Sequence, residues 1–321
     1  MIFCMAPMEG ITGHVFRRTF AEVFGPADRH IIPFLTPTHS HNFRKREWQE
    51  VRPGFDPSLP AVPQLLCRDP EDFLWAVEEM AALGYPEVNL NLGCPSGTVV
   101  PKGKGAGFLA YPEELDAFLD QVCARSPLPV SVKTRLGLTD PAEFRKLLAV
   151  FNRHPLAELT VHARVRADYY RGEPDWETFR LALAGSRAPV CYNGDLFTKA
   201  DYERFRRTFP EAERIMIGRG IAANPGLLRE IRGGEPMTKG ELAHFLERLF
   251  ANYQAAFGPD GNPVPRMKEL WSYLRFSFSD PEACRRKIRK AVRREEYQAA
   301  VRQIFAEQEL VPGARFCPEL L

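Results

Sequence analysis

Eight short apolar runs punctuate the first two thirds of the chain, at residues 2–5, 30–34, 61–66, 87–91, 130–133, 158–161, 190–193 and 214–217. Each has the length of a strand. Apolar and polar positions alternate poorly within them, as expected for strands buried on both faces. Helical patterns fill the intervals. Asp69-Pro70-Glu71-Asp72 opens one, with proline at the first turn and acids where the positive end of the helix dipole would lie. Tyr111-Pro112-Glu113-Glu114 and Thr139-Asp140-Pro141 open two more, and Asn224-Pro225 opens a short one after the eighth run. Strand and helix alternating eight times predict an α/β fold, a (β/α)8 TIM barrel with parallel strands.

The pattern changes at Arg232-Gly233-Gly234-Glu235-Pro236. Beyond it the segments 238–256, 265–278, 281–294 and 295–308 read as helices, with no strand pattern among them. The expected organisation is a barrel catalytic domain at 1–235 and an all-helical domain at 236–321. A length of 321 residues fits a barrel of about 250 residues with an appendage. No apolar run approaches the 18 or so residues of a membrane span, and the first residues lack the basic and apolar regions of a secretory signal. The seven cysteines are scattered, without a C-x-x-C pair, and the seven histidines show no H-E-x-x-H spacing. Neither a disulfide framework nor a metal site is expected, and a reducing cytoplasm is the natural compartment. The net charge of +2 is uninformative, but residues 236–321 hold 14 Lys and Arg against 11 Asp and Glu, so the positive excess sits in the helical part.

A barrel carries its active site at the C-terminal ends of its strands. The polar residues that close the apolar runs are Met8 and Glu9, Gln64, Asn91 and Cys94, Lys133 and Arg135, His162 and Arg164, Asn193 and Asp195, and Gly218-Arg219-Gly220. One such residue is an ordinary loop polar group; this many at one rim point to a site. Lys133 ends Pro129-Val130-Ser131-Val132, and a buried lysine is costly unless it meets an anion. A phosphate or a reduced flavin would serve, and so would a salt bridge to Asp or Glu. His162 closes Leu159-Thr160-Val161, where it is either a site residue or a hydrogen-bonded core histidine. Asn193-Gly194-Asp195 and Gly218-Arg219-Gly220 follow the seventh and eighth runs, where barrels commonly hold phosphate; alone, each is a tight turn.

Cys94 lies in Asn91-Leu92-Gly93-Cys94-Pro95-Ser96, and the chain continues to Gly107 through four further glycines, Lys102 and Lys104. This segment lacks the G-x-x-x-x-G-K-[ST] of a P-loop and reads as a flexible basic lid carrying an exposed thiol able to exchange a proton. Cys4, Cys67, Cys123, Cys191, Cys284 and Cys317 read as packing residues. In the helical part, residues 285–294 hold seven basic residues in ten. With Ile288 and Val292 four apart, one helical stripe could pack while a basic face stays outside, either simply solvated or touching a phosphate backbone.

In this order the motifs resemble the tRNA-dihydrouridine synthase family. The resemblance is carried by Ala6-Pro7-Met8-Glu9-Gly10, Gln64-Leu65-Leu66, Leu90 to Ser96, Val132-Lys133-Thr134-Arg135-Leu136-Gly137, Val161-His162-Ala163-Arg164, Asn193-Gly194-Asp195 and Met216-Ile217-Gly218-Arg219-Gly220. Met267-Lys268-Glu269-Leu270-Trp271-Ser272-Tyr273-Leu274-Arg275 looks most like its C-type bacterial branch. The resemblance implies an FMN enzyme, reduced by NADPH, that acts on uridine in tRNA; an enzyme wrapping a folded RNA can work as a monomer, and a monomer is expected. It implies that Ala6, Pro7 and Met8 line the FMN, that Gln64, Lys133 and His162 contact its ring system, and that Asn193, Gly194, Asp195, Gly218 and Arg219 hold its phosphate end. Asn91 would touch the uracil, Tyr170 would help seat it, and Cys94 would protonate C5 as hydride reaches C6. Arg135, Lys102, Lys104, Arg266, Lys268, Arg275, Arg285, Arg286, Arg289 and Arg293 are the expected contacts to tRNA. Many relatives carry Lys where this chain has Gly97, and some carry Cys where it has Leu92. Two other readings are an FMN barrel acting on a free small molecule, in the manner of a dihydroorotate dehydrogenase, and a non-catalytic RNA-binding barrel.

Overall fold

The computed structural model describes residues 1–52 and 54–317, so the last four residues of the expected helical domain lie outside the described ones. Eight strands close into a parallel barrel in sequence order: β1 (Ile2–Met5), β2 (Arg29–Leu35), β3 (Ala61–Leu65), β4 (Val88–Leu92), β5 (Val130–Arg135), β6 (Leu159–His162), β7 (Val190–Asn193) and β8 (Arg214–Ile217). All eight apolar runs are strands. Helix starts follow the side chains that satisfy their first amides. Asp69 accepts from the amides of Glu71 and Asp72 at 3.0 and 2.9 Å, with Pro70 opening the helix Pro70–Ala82. Asp175, Thr198, Thr238 and Asp280 cap later helices in the same way.

By contacts the chain divides into two compact units: residues 1–7, 28–194 and 211–216 in the first, and 8–27, 195–210 and 217–321 in the second. The functional division expected at residue 235 rests on a different criterion. Small and medium side chains fill part of the first unit's core, where Cys4, Ala6, Ile31, Val62, Cys191 and Met216 meet. In the second unit the helices His14–Phe24 and Lys239–Phe257 pack together, with Phe16 edge-on to Phe245 at 5.8 Å between centroids. Among the described residues no helix is long and apolar enough to cross a membrane, and no three His, Cys, Asp or Glu side chains gather as metal ligands.

Two expectations give way. The basic run at 285–294 is not one helix: Pro281–Lys290 ends at Lys290, and Ala291 is extended. The ammonium of Lys268 donates to the carbonyls of Arg289 and Ala291 at 2.8 and 2.6 Å, and the Glu296 carboxylate takes the amides of Val292 and Arg293 to start the next helix. Ile288 is therefore buried, whereas Val292 is 67% exposed, and the stripe joining them does not form. The Cys94 segment is also no loose lid. It folds into two 3-10 turns, Val100–Lys102 and Gly105–Ala110, and the amide of Ala106 returns to the Cys94 carbonyl at 3.1 Å. Gly105, at φ +56°, allows this close return, since a Cβ there would lie 2.9 Å from the same carbonyl.

Candidate active site

Side chains two apart on a strand share a face. Asn89 and Asn91 on β4, and Ser131, Lys133 and Arg135 on β5, are thus two polar stripes within otherwise apolar strands. The register sets Asn89 against Ser131 and Asn91 against Lys133. The first stripe joins Gln64 of β3 in a buried ladder. The Ser131 hydroxyl accepts from the Asn89 amide at 2.9 Å, the Asn89 oxygen accepts from Gln64 at 2.8 Å, and the Gln64 oxygen accepts from Asn91 at 2.7 Å. Asn91 spends its own oxygen on the amides of Gly93 and Cys94, at 3.0 and 2.9 Å. Ordered amides thus run from the barrel interior to the backbone of Cys94, and their satisfied partners hold each rotamer. The sequence reading missed Asn89 and Ser131, although their two-residue spacing from Asn91 and Lys133 was visible.

Lys133 is half-buried, and among the described residues no carboxylate pairs with it. Burial, then the neighbouring Arg135 charge, pull its ammonium down from the ordinary 10.5 to about 7, against the opposing pull of Cys191 and Cys94. The salt-bridge reading of Lys133 therefore falls away. Burial pushes Cys67 and Cys123 up to about 11 and Cys284 to about 12, so these thiols stay protonated and inert, while Cys94 is half-exposed at a strand end.

Two buried arginines shape the surrounding loops. Arg135 donates to the carbonyls of Gly93 at 2.9 Å and Val165 at 3.0 Å. Arg164 donates to the carbonyls of Arg171 and Gly172, and its guanidinium lies 3.4 Å from the His162 ring nitrogen. They present Tyr170, 46% exposed, with its ring 5.9 Å from that of His162 and 5.4 Å from the Arg135 guanidinium. Arg135 was expected to reach substrate directly; its observed contacts hold the Cys94 and Tyr170 loops. Asn193 donates to the Met216 carbonyl at 2.9 Å, and Gly194 leaves the space a Cβ would contest with the Tyr192 hydroxyl. Ala6 is buried in the core, Pro7 is half-buried at the end of β1, and Lys102 and Lys104 are exposed and half-buried on the turns after Cys94.

The second unit holds the remaining candidates. Half-buried Met8 donates its amide to Thr12 at 2.8 Å. Gly218 precedes the short helix Arg219–Ala223. Arg219 is ion-paired with Asp195, and its guanidinium carbon lies 5.3 and 5.7 Å from the rings of Phe197 and Phe316. Among the basic residues, Arg275 is only 2% exposed and pairs with Glu282. Arg285 and Arg293 pair with Glu282 and Glu296, both at 2.7 Å, Arg266 pairs with Glu269 at 2.8 Å, and Lys268 caps a helix. Arg286, Arg289 and Lys290 are exposed, with no ion pair among the described residues.

A family model described as Dihydrouridine synthase (Dus) matches residues 4–309. The chain is 31% identical to the tRNA-dihydrouridine(16) synthase of Cupriavidus necator, over 98% of each chain. It is also 31% identical to the protein of the same name from Pseudomonas putida, over 88% of this chain and 90% of that one. Among solved structures, histamine dehydrogenase from Rhizobium sp. 4-9 aligns with a TM-score of 0.53 at 10% identity, over 76% of this chain and 46% of that one, a likeness of fold.

Proposed function

The chain belongs to the dihydrouridine synthase family, and from that premise we propose that it is a flavin-dependent oxidoreductase reducing the C5–C6 bond of a uridine in tRNA, with NADPH as reductant. The observation that carries this reading is Lys133. A desolvated cation without a carboxylate calls for an anionic partner, and a bound flavin meets that need. FMN would contact Gln64, Lys133 and His162 with its ring system, be lined by Ala6, Pro7 and Met8, and reach Asn193, Gly194, Asp195, Gly218 and Arg219 with its phosphate end. Asp195 would act by orienting the Arg219 guanidinium, since a carboxylate does not itself hold phosphate.

When bound, FMN supplies the hydride that adds to C6 of the uracil. The chain's own residues do the rest. The Cys94 thiol breaks its S–H bond and gives the proton to C5, and the thiolate left behind gains from the Lys133 charge, whose attraction to Cys94 already registers. Asn91 fixes the backbone of the proton donor through its two amide contacts; its own amide donates to Gln64, so its touch on the uracil would use the second N–H of that amide. Tyr170, supported by Arg135 and His162, seats a uracil that has left its base stack. The tRNA backbone falls to the domain at 236–321, foremost Arg286 and Arg289, with Arg266, Lys268, Arg285 and Arg293 adding charge at its rim and Lys102 and Lys104 beside Cys94. Arg275, buried and ion-paired, supports that domain from within. The enzyme acts as a monomer in the cytoplasm.

The test is to express the protein in cells lacking dihydrouridine synthases and to quantify dihydrouridine in their tRNA nucleotide by nucleotide. Dihydrouridine is expected first at position 16, the position in the relatives' names. Cys94→Ala should lower it by about 100-fold or more while the protein keeps its flavin. A yellow protein that leaves every tRNA unreduced would favour the small-molecule reductase, and a colourless one the non-catalytic RNA-binding barrel.

A further inference from the structure

The loop after β6 keeps a strained residue at the surface. Tyr169 has φ +54° and ψ −92°, a backbone conformation that glycine tolerates and tyrosine rarely adopts. Such strain persists only where the surroundings impose it. Here the Tyr169 amide donates to the Arg166 carbonyl at 3.1 Å, and Arg164 grips the carbonyls of Arg171 and Gly172 just beyond. The side chain is not retained for burial, since Tyr169 is 39% exposed. Folding alone therefore does not explain a tyrosine where glycine would sit without strain.

Its partner is Arg166, whose guanidinium carbon lies 5.5 Å from the Tyr169 ring centroid. The Arg166 Nε is buried without a hydrogen-bond partner, and among the described residues no carboxylate pairs with this side chain. The nearby Asp168 carboxylate is occupied by the Val165 amide at 3.2 Å. Tyr170, the next residue, stands over Arg135 and beside His162. Two consecutive tyrosines thus each rest on a guanidinium, one of which holds the Cys94 loop.

We infer that Tyr169 and Arg166 form a binding site for the nucleotide next to the target uridine, with its base stacked on Tyr169 and its phosphate held by Arg166. This rests on the proposed action on tRNA. An exposed aromatic face takes any base, and a desolvated guanidinium donor suits a phosphate oxygen. Consecutive residues are about 3.8 Å apart at Cα, so a base on Tyr169 would belong to the immediate neighbour of the nucleotide seated at Tyr170.

The test compares the FMN-loaded full-length enzyme with its Tyr169→Gly, Tyr169→Phe and Arg166→Gln variants on unmodified tRNA, reading KM, kcat and the thermal midpoint. Tyr169→Gly should raise KM about tenfold, the loss of one base stack. Its kcat should stay within about twofold, and its thermal midpoint should be equal to or above the wild type because the strain is relieved. Tyr169→Phe should behave as wild type, and Arg166→Gln should raise KM and flatten its salt dependence. An unchanged KM in Tyr169→Gly, with the wild type active, would overturn the inference alone. A lower thermal midpoint in that variant would make Tyr169 a structural residue and overturn it too. A wild type that forms no dihydrouridine in any tRNA would remove the reading beneath it.

Discussion

The two ends of the barrel treat half-buried positive charge in opposite ways. At the N-terminal ends of the strands, Arg29 lies 2.7 Å from Glu158 and 2.6 Å from Glu87, and Arg214 reaches Glu158 at 3.0 Å. Glu158 is only 1% exposed. Burial alone would weaken the proton affinity of Arg29, but Glu158, then Glu87, outweigh it and hold the guanidinium above its ordinary value. At the opposite strand ends Lys133 is likewise desolvated, yet its neighbouring charge is Arg135 and it falls to about 7. In the first cluster each guanidinium meets a carboxylate. The second holds no carboxylate paired with Lys133 among the described residues, and the proposed flavin would bring the negative charge. Pairing, more than burial, separates a structural cation from one kept for function.

Removing Lys133 should break the comparison most sharply. Lys133→Met is expected to slow dihydrouridine formation by about 100- to 1,000-fold, measured in single turnovers with bound flavin. Glu158→Gln should act on the fold instead, removing a buried carboxylate from two half-buried guanidinium groups and lowering stability by about 3 kcal/mol in urea unfolding. The cofactor-free Lys133→Met protein should unfold no earlier than the wild type.

The pH dependence sharpens the contrast further. Between about pH 7 and the ordinary lysine value of 10.5, the folded protein binds fewer protons at Lys133 than the unfolded chain does. Stability of the cofactor-free protein should therefore rise with pH across that window, by at most about 1.4 kcal/mol per unit, and Lys133→Met should abolish the slope. A slope that survives the substitution would assign it to another group.

The same distinction extends to the helical part with smaller effects. Arg286→Glu and Arg289→Glu, at exposed positions without ion pairs among the described residues, should each weaken tRNA binding and lower the salt slope by about one. Arg285→Gln and Arg293→Gln, already paired to glutamates, should do less. Least of all, Gly97→Lys should change stability by no more than about 0.5 kcal/mol, because a Cβ there meets nothing within 4 Å.

Much of the architecture was legible from local signals. The eight apolar runs became the eight strands, and the Asp69-Pro70 and Asp140-Pro141 starts became a capped helix and a capped 3-10 turn, because strand length and helix capping depend on neighbours a few residues away. The helix through residue 294 was misjudged because its end depends on the ammonium of Lys268, on a different helix. The ladder from Ser131 to Asn91 was overlooked because its rungs come from three strands.

The sequence by itself thus determined the barrel, the helical appendage and the order in which polar residues meet the strand ends, since each follows from periodicity and short-range hydrogen bonding. Only the tertiary structure decided which charges find partners. Lys133 and Arg29 are both basic residues of barrel strands, Lys133 within β5 and Arg29 opening β2, and being a basic residue in a strand does not tell them apart. Their difference arises from carboxylates 58 and 129 residues away from Arg29 in the chain. An electrostatic interaction is set by distance through space, and sequence separation does not report that distance.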